Sequence, residues 1–161
     1  MKKFLFLFCL AAIIFFTQNN RQAPNTDNTP QIYYTDRLLH RLIPVDFPQN
    51  GSSQRIADKM VQAILLGKDE NEEILRIIPN IEKGIKVRVK GDTAYVNLSG
   101  ELTERITKNP DTEQLAVYQI VNSLTSISGI NRVCFTIDGK TQEDFLGFLN
   151  MREIFTPNYD I

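Results

Sequence analysis

A two-layer α+β domain, in which helices pack on one face of a small mixed β-sheet in the order ββ-α-ββ-α-β, is the fold class this sequence predicts. Three observations carry that reading. Lys86 to Leu102 (KVRVKGDTAYVNLSGEL) alternates apolar and polar residues on both sides of Gly91-Asp92, Pro110 to Ile127 repeats apolar residues at helical spacing, and Asn131 to Lys140 (NRVCFTIDGK) alternates again.

The fold does not start at residue 1. Lys2 and Lys3 precede the uncharged apolar run Phe4 to Phe16, which has the form of an export signal with its positive flank inside the cytoplasm. As a helix that run is about 20 Å long, short of the roughly 30 Å hydrocarbon core of a bilayer. Residues 1–16 are therefore read as a signal peptide or signal anchor. The following TQNNRQ lacks the small residues of a cleavage site, so tethering is preferred over secretion, and the mature part lies outside the cytoplasm. Phe6, Leu7 and Phe8 are too large for a lipid-attachment site at Cys9. Residues 17–30 are polar, contain Pro24 and Pro30, and form a flexible linker. Residues 31–161 make a single domain.

Within that domain, the β-branched and aromatic run Gln31 to Asp36 predicts a strand, and Leu38 to Phe47 a second one, placed at an edge by Pro44. Ser52 or Ser53 caps a helix whose core face is Ile56, Met60, Val61, Ile64 and Leu65, ended by Gly67. Glu72 to Ile78 reads as a short helical turn stopped by Pro79. Ile85, Val87 and Val89 then alternate with Lys86, Arg88 and Lys90; after the Gly91-Asp92 turn, Ala94, Val96 and Leu98 alternate with Tyr95, Asn97 and Ser99. Asp111 with Gln114 has the form of a capping box, and Leu115, Tyr118, Val121, Leu124 and Ile127 form the stripe of the next helix. The last strand divides into Val133, Phe135, Ile137 and Arg132, Cys134, Thr136.

The polar sides of three strands share one sheet face. Lys86, Arg88, Lys90, Tyr95, Asn97, Arg132, Cys134 and Thr136 are the residues placed there, and the face is either solvated or a partner surface.

Catalytic chemistry finds little support. His40 is the only histidine and has no nucleophile motif around it, which leaves a structural or surface role for it and excludes a histidine-rich metal site. With Cys134 the only cysteine beyond the N-terminal run, the domain has no internal disulfide and no cysteine-based zinc site. Asp69, Glu70, Glu72 and Glu73, or Glu143 and Asp144, supply carboxylates without fixing a pair across a glycan cleft. Lys and Arg number 18 against 19 acidic residues, a balance unsuited to nucleic acid. The α, β, β, α, β order is shared with one class of KH nucleic-acid module, but its GxxG clamp is missing. No cofactor-binding loop is present.

The second half of the chain resembles the GerMN domain family of sporulation and spore germination. The resemblance rests on AYVNLSGEL (Ala94 to Leu102), on TEQLAVYQIVNSLTSISGINRVCFTIDGK (Thr112 to Lys140) and on FLGFLNMREIFTPN (Phe145 to Asn158), and extends more loosely upstream to Gln31. It implies an extracytoplasmic protein with a fold similar to ring-building motifs, no catalytic residue, and a role in assembling an envelope complex. The residues matching the motif are mainly core: Val96, Leu98, Leu115, Val121, Leu124, Val133, Phe135 and Ile137. Asn122 and Asp138 to Lys140 are its polar members, read as helix and turn determinants. The expected partners are envelope or spore-assembly proteins, including a second copy of the chain, with the membrane engaged through the N-terminal segment. The alternatives are a module binding peptidoglycan or another small ligand through Tyr33, Tyr34, Tyr95 and Arg132, and a weak glycan hydrolase.

Overall fold

The computed structural model of the protein describes residues 29–68 and 73–161. The signal or anchor run of residues 1–16, the linker as far as residue 28, and Asp69, Glu70 and Glu72 lie outside the described residues. The strands are β1 (Gln31–Asp36), β2 (Leu42–Asp46), β3 (Ile74–Leu75), β4 (Ile85–Lys90), β5 (Thr93–Leu98) and β6 (Arg132–Ile137). The helices are α1 (Ser53–Leu66), α2 (Gly100–Arg105) and α3 (Pro110–Thr125). The α+β class and the predicted order hold, with β3 and α2 added to it.

Two three-stranded sheets divide the strands between them. One is antiparallel, in the order β2-β1-β3; in the other, β4-β5-β6, β4 is antiparallel and β6 parallel to β5. A parallel neighbour cannot be reached by a tight turn, and α2 and α3 form the crossover from β5 to β6. The β4–β5 hairpin closes at the predicted turn, with Gly91 at φ 61°, the positive value that a two-residue hairpin turn needs at its first position.

Three local expectations are corrected. The segment expected as a helical turn over Glu72 to Ile78 contains strand β3, where Leu75 and Ile74 pair with Thr35 and Asp36; the open side of β1 offers backbone partners that outweigh the local helical preference. Helix α3 is capped by Asn109, whose Oδ1 accepts from Thr112 N at 2.8 Å, and not by a capping box on Asp111. Pro110 explains the shift, because its fixed φ suits the first helical position and makes the residue before it the cap. His40 lies in the β1–β2 turn, not in an edge strand, and its backbone N donates to Asp36 Oδ1 at 2.7 Å.

Helix α1 follows the sequence closely. Ser52 caps it by accepting from Arg55 N, Gly67 ends it at φ 68°, and Ile56, Met60, Val61, Ile64 and Leu65 are all buried. The positive φ at Gly67 is what calls for glycine there, and the Arg76 side chain lies over it, 2.5 Å from where a Cβ would sit.

Helix α3 is buried on more than one side because it packs on β1 of the first sheet and β6 of the second. The predicted stripe is in the core, with Tyr118 partly covered. So are several polar residues, among them Glu113, Gln119, Asn122 and Ser123. Each of those named is engaged by a segment distant in sequence. Ser123 Oγ accepts from Tyr33 N at 2.9 Å, and Ser126 Oγ lies 2.8 Å from Gln31 N and 2.9 Å from Gln31 O. These hydroxyls serve the part of β1 that β3 is too short to pair, which is why a helix carries serines on a face that packs against a strand. Asn122 clamps the backbone of Asn158, donating from Nδ2 to its O at 2.6 Å and accepting from its N at 2.9 Å.

Candidate functional site

The β4-β5-β6 sheet has one face on the core and one outside. Register places Lys86 beside Asn97 and Asn97 beside Thr136, and places Arg88 beside Tyr95 and Tyr95 beside Cys134. Lys90 pairs with Thr93, which pairs with Arg132. The predicted set is thus brought together on one surface. Tyr95 sits on the central strand and is 47% exposed, so no described residue covers the middle of the face.

These side chains are not equivalent. Thr136 Oγ1 donates to Asn97 Oδ1 at 2.9 Å, and the same Oδ1 accepts from Gly139 N at 2.6 Å, so Asn97 and Thr136 tie β5 to β6 and to the turn after it. Arg132 Nη2 lies 2.7 Å from Asp92 Oδ1. The hydrogen bond from Arg132 holds the Asp92 carboxyl below its usual range, and Asp92 in turn raises Arg132, so this pair stays charged and mutually neutralised near pH 7. Burial pushes the Cys134 thiol up, against the pull of Arg132, and leaves it protonated, which is the inert form of a cysteine. Lys86, Arg88 and Lys90 are exposed and make no hydrogen bond or ion pair among the described residues. Three unneutralised cations in a row on β4, beside the ring of Tyr95, are therefore what this face offers a partner.

The sheet edges offer much less. Gln54 from α1 lies along the free edge of β4, donating from Nε2 to Val87 O at 3.1 Å and accepting at Oε1 from Val89 N at 2.7 Å, as a neighbouring strand would. Phe155 bridges the outer edge of β6 through two 2.9 Å backbone bonds with Val133, and its ring stands edge-on to Phe135 at 5.4 Å. On β2, Pro44 has no donor and Leu42 N is already taken by Ile161 O at 3.1 Å. Strand addition is blocked along these edges, so contact by the β4-β5-β6 sheet must come through its face. Ile32, which pairs with Val45, belongs to the central strand of its sheet. Tyr33 and Tyr34 are core residues at 6% and 9% exposure, with burial pushing the Tyr33 hydroxyl up to about 12. Of the four residues expected to meet a wall ligand, Tyr95 and Arg132 alone reach the surface.

One determinant escaped the sequence reading. Glu113, fully buried in the first turn of α3, takes three backbone donors of the 146–149 loop: Leu146 N at 3.2 Å and Leu149 N at 2.7 Å on Oε1, and Phe148 N at 3.2 Å on Oε2. Its partners lie more than thirty residues away, so the available signal was a carboxylate on an otherwise core-facing helix position. No cluster of three metal-ligating side chains occurs among the described residues.

The described residues form an α+β unit with guarded sheet edges and one cationic sheet face. The family model Germane, described as sporulation and spore germination, matches residues 23–143, and the chain belongs to that family. Its fold is similar to that of the first GerMN domain of the sporulation protein GerM from Bacillus subtilis, at 19% identity and a TM-score of 0.60 over 76% of this chain and 92% of that one. The tandem GerMN domains of the same protein match at 17% identity and a TM-score of 0.59, over 83% of this chain but 45% of theirs, as expected of one module against two. A candidate lipoprotein from Clostridium perfringens is similar at 20% identity and a TM-score of 0.55, over 83% of this chain and 91% of that one. No curated protein matches the chain.

Proposed function

We propose that this protein is a non-enzymatic, exported and membrane-tethered module that helps to assemble an envelope complex during sporulation or spore germination. The observation that carries the reading is the β4-β5-β6 face, where Lys86, Arg88 and Lys90 have no ion-pair partner among the described residues and lie beside the half-exposed Tyr95, while the neighbouring edges are closed. Cations with an aromatic ring among them suit an acidic protein surface, with the ring supplying apolar contact area. Tethering by the N-terminal run of residues 4–16 raises the local concentration of the module at the membrane, so a modest contact suffices. The family's description supports the cellular process, and the likeness to a candidate lipoprotein supports an anchored, exported location.

The test is photocrosslinking in sporulating cells. A crosslinker placed at Tyr95 is expected to trap a discrete envelope protein or a second copy of the chain, whereas one at the more exposed Leu66 is not. Equal yields from both positions, or crosslinks from Tyr95 to wall glycan alone, would overturn the assembly role in favour of a nonspecific or wall-binding one.

A further inference from the structure

Asn50 and Gly51 form the chain's one Asn-Gly pair, and they stand in the connection between β2 and α1. Both are exposed, Gly51 takes φ 142°, and neither the Asn50 side-chain amide nor Gly51 N makes a hydrogen bond among the described residues. Between Phe47 N, which donates to Pro30 O, and the Ser52 cap of α1, no backbone N–H of the connection is held. An unbonded backbone amide thus follows an unbonded side-chain amide, with no Cβ on the second residue to keep the two apart. Asp138 and Gly139 show how such a pair is locked. They are also exposed, yet Gly139 N donates to Asn97 Oδ1 at 2.6 Å and Gly100 N donates to Asp138 Oδ1 at 3.1 Å. After the exposed Asn131, the next amide is likewise held, with Arg132 N donating to Asp92 O at 3.2 Å.

We propose that Asn50 is a site of spontaneous covalent modification, converted by intramolecular attack and then by water to a mixture of aspartate and isoaspartate. Gly51 N gives its proton to solvent and attacks Asn50 Cγ; the N–Cγ bond forms, the Cγ–Nδ2 bond breaks, and Nδ2 takes up a proton and leaves as ammonia. Water then adds to either carbonyl carbon of the cyclic imide and breaks its bond to nitrogen. Opening at Cγ restores the ordinary main chain with an aspartate side chain. Opening at the α-carbonyl carbon routes the main chain through the former side chain and lengthens it by a methylene. Either product adds a negative charge just ahead of Ser52, at the N-terminal end of α1, whose first turn holds no acidic residue. The site is independent of the sheet face, and the two readings can fail separately.

The test is peptide mapping by mass spectrometry after the full chain in lipid nanodiscs has stood for days at pH 8 in water enriched in heavy oxygen. The Asn50 peptide is expected to take up heavy oxygen and to separate into aspartyl and isoaspartyl forms. Its conversion should be at least about tenfold faster than at Asn131, where a hydrogen bond must break and a Cβ must be accommodated. Gly51→Ala should slow it about tenfold or more, and Asn50→Gln should abolish the product; thermal unfolding checks that both variants fold. Asp138 should isomerise faster in urea than in the folded chain, where Gly139 N is held. Conversion at Asn50 no faster than at Asn131, an undiminished rate in folded Gly51→Ala, or equal isomerisation of Asp138 in the folded and unfolded chain would each overturn the proposal.

Discussion

Glu113 offers the sharpest test of how the segment after β6 is held to helix α3. Its carboxylate has no solvent exposure and accepts from Leu146 N, Phe148 N and Leu149 N, which fixes the loop whose ends insert Phe145 and Met151 into the core. The first turn of a helix also suits a negative charge, since the unpaired N–H groups there carry partial positive charge. A hydrogen bond to a charged group contributes about 1.5–3 kcal/mol net, and each buried donor left without a partner costs about 1–3 kcal/mol. Three donors therefore set an upper limit well above the cost observed for breaking one buried pair, about 3–5 kcal/mol. Gly147 and Phe148 are exposed, so water can reach part of the loop after truncation and the lower end applies. Glu113→Ala is expected to cost about 3 kcal/mol, or about 10 °C in Tm for a domain of this size. Glu113→Gln retains one acceptor oxygen but turns an NH2 toward a backbone donor, and should fall between the two. Denaturant unfolding gives the free energy, and hydrogen exchange at Leu146, Phe148 and Leu149 locates it. A loss below about 0.5 kcal/mol, the level of an ordinary surface substitution, with those amides still protected, would refute the reasoning.

Other outcomes follow from the same contacts. Asn122→Ala removes both bonds to the backbone of Asn158 and should cost about 2 kcal/mol, with faster exchange at Asn158 N and at Leu42 N, which the tail covers. Gln54→Ala exposes Val87 O and Val89 N on the β4 edge; a loss of about 1 kcal/mol is expected, with a concentration-dependent rise in mass by light scattering as edges pair. Burial raises the Cys134 thiol, so its reactive thiolate forms only at higher pH than in a free cysteine. Alkylation by iodoacetamide at pH 8 should be several-fold slower than for glutathione and should climb as the pH rises; a rate equal to that of glutathione would contradict the burial.

What could be read in the sequence was whatever repeats locally. Period-2 alternation fixed β4, β5 and β6 and the contents of their outer face, because a side-chain period of two leaves no freedom once one face is apolar. Period 3.6, Ser52 and Gly67 similarly defined α1. Strand β3, with two residues, is too short to carry any period, and its place depends on β1, almost forty residues earlier. The polar residues buried on α3 were hidden for the same reason: Ser123 pairs with Tyr33 and Glu113 with Leu149, contacts that exist only after the chain has folded. The site was legible as a set of residues but not as an energetic pattern. Asn97 and Thr136 satisfy one another and Arg132 is neutralised by Asp92, which leaves the β4 cations as the distinguishing feature.

The central claim is that those cations hold a partner. Lys86→Glu, Arg88→Glu and Lys90→Glu combined reverse the charge of the face at exposed positions without touching the core, so the fold should persist, as thermal unfolding would verify. In sporulating cells carrying this triple variant, the Tyr95 crosslink is expected to disappear and spore yield or germination to fall, while a substitution on helix α1 such as Arg55→Glu leaves both intact. A folded, membrane-localised triple variant that retains the crosslink and full spore function would contradict the account.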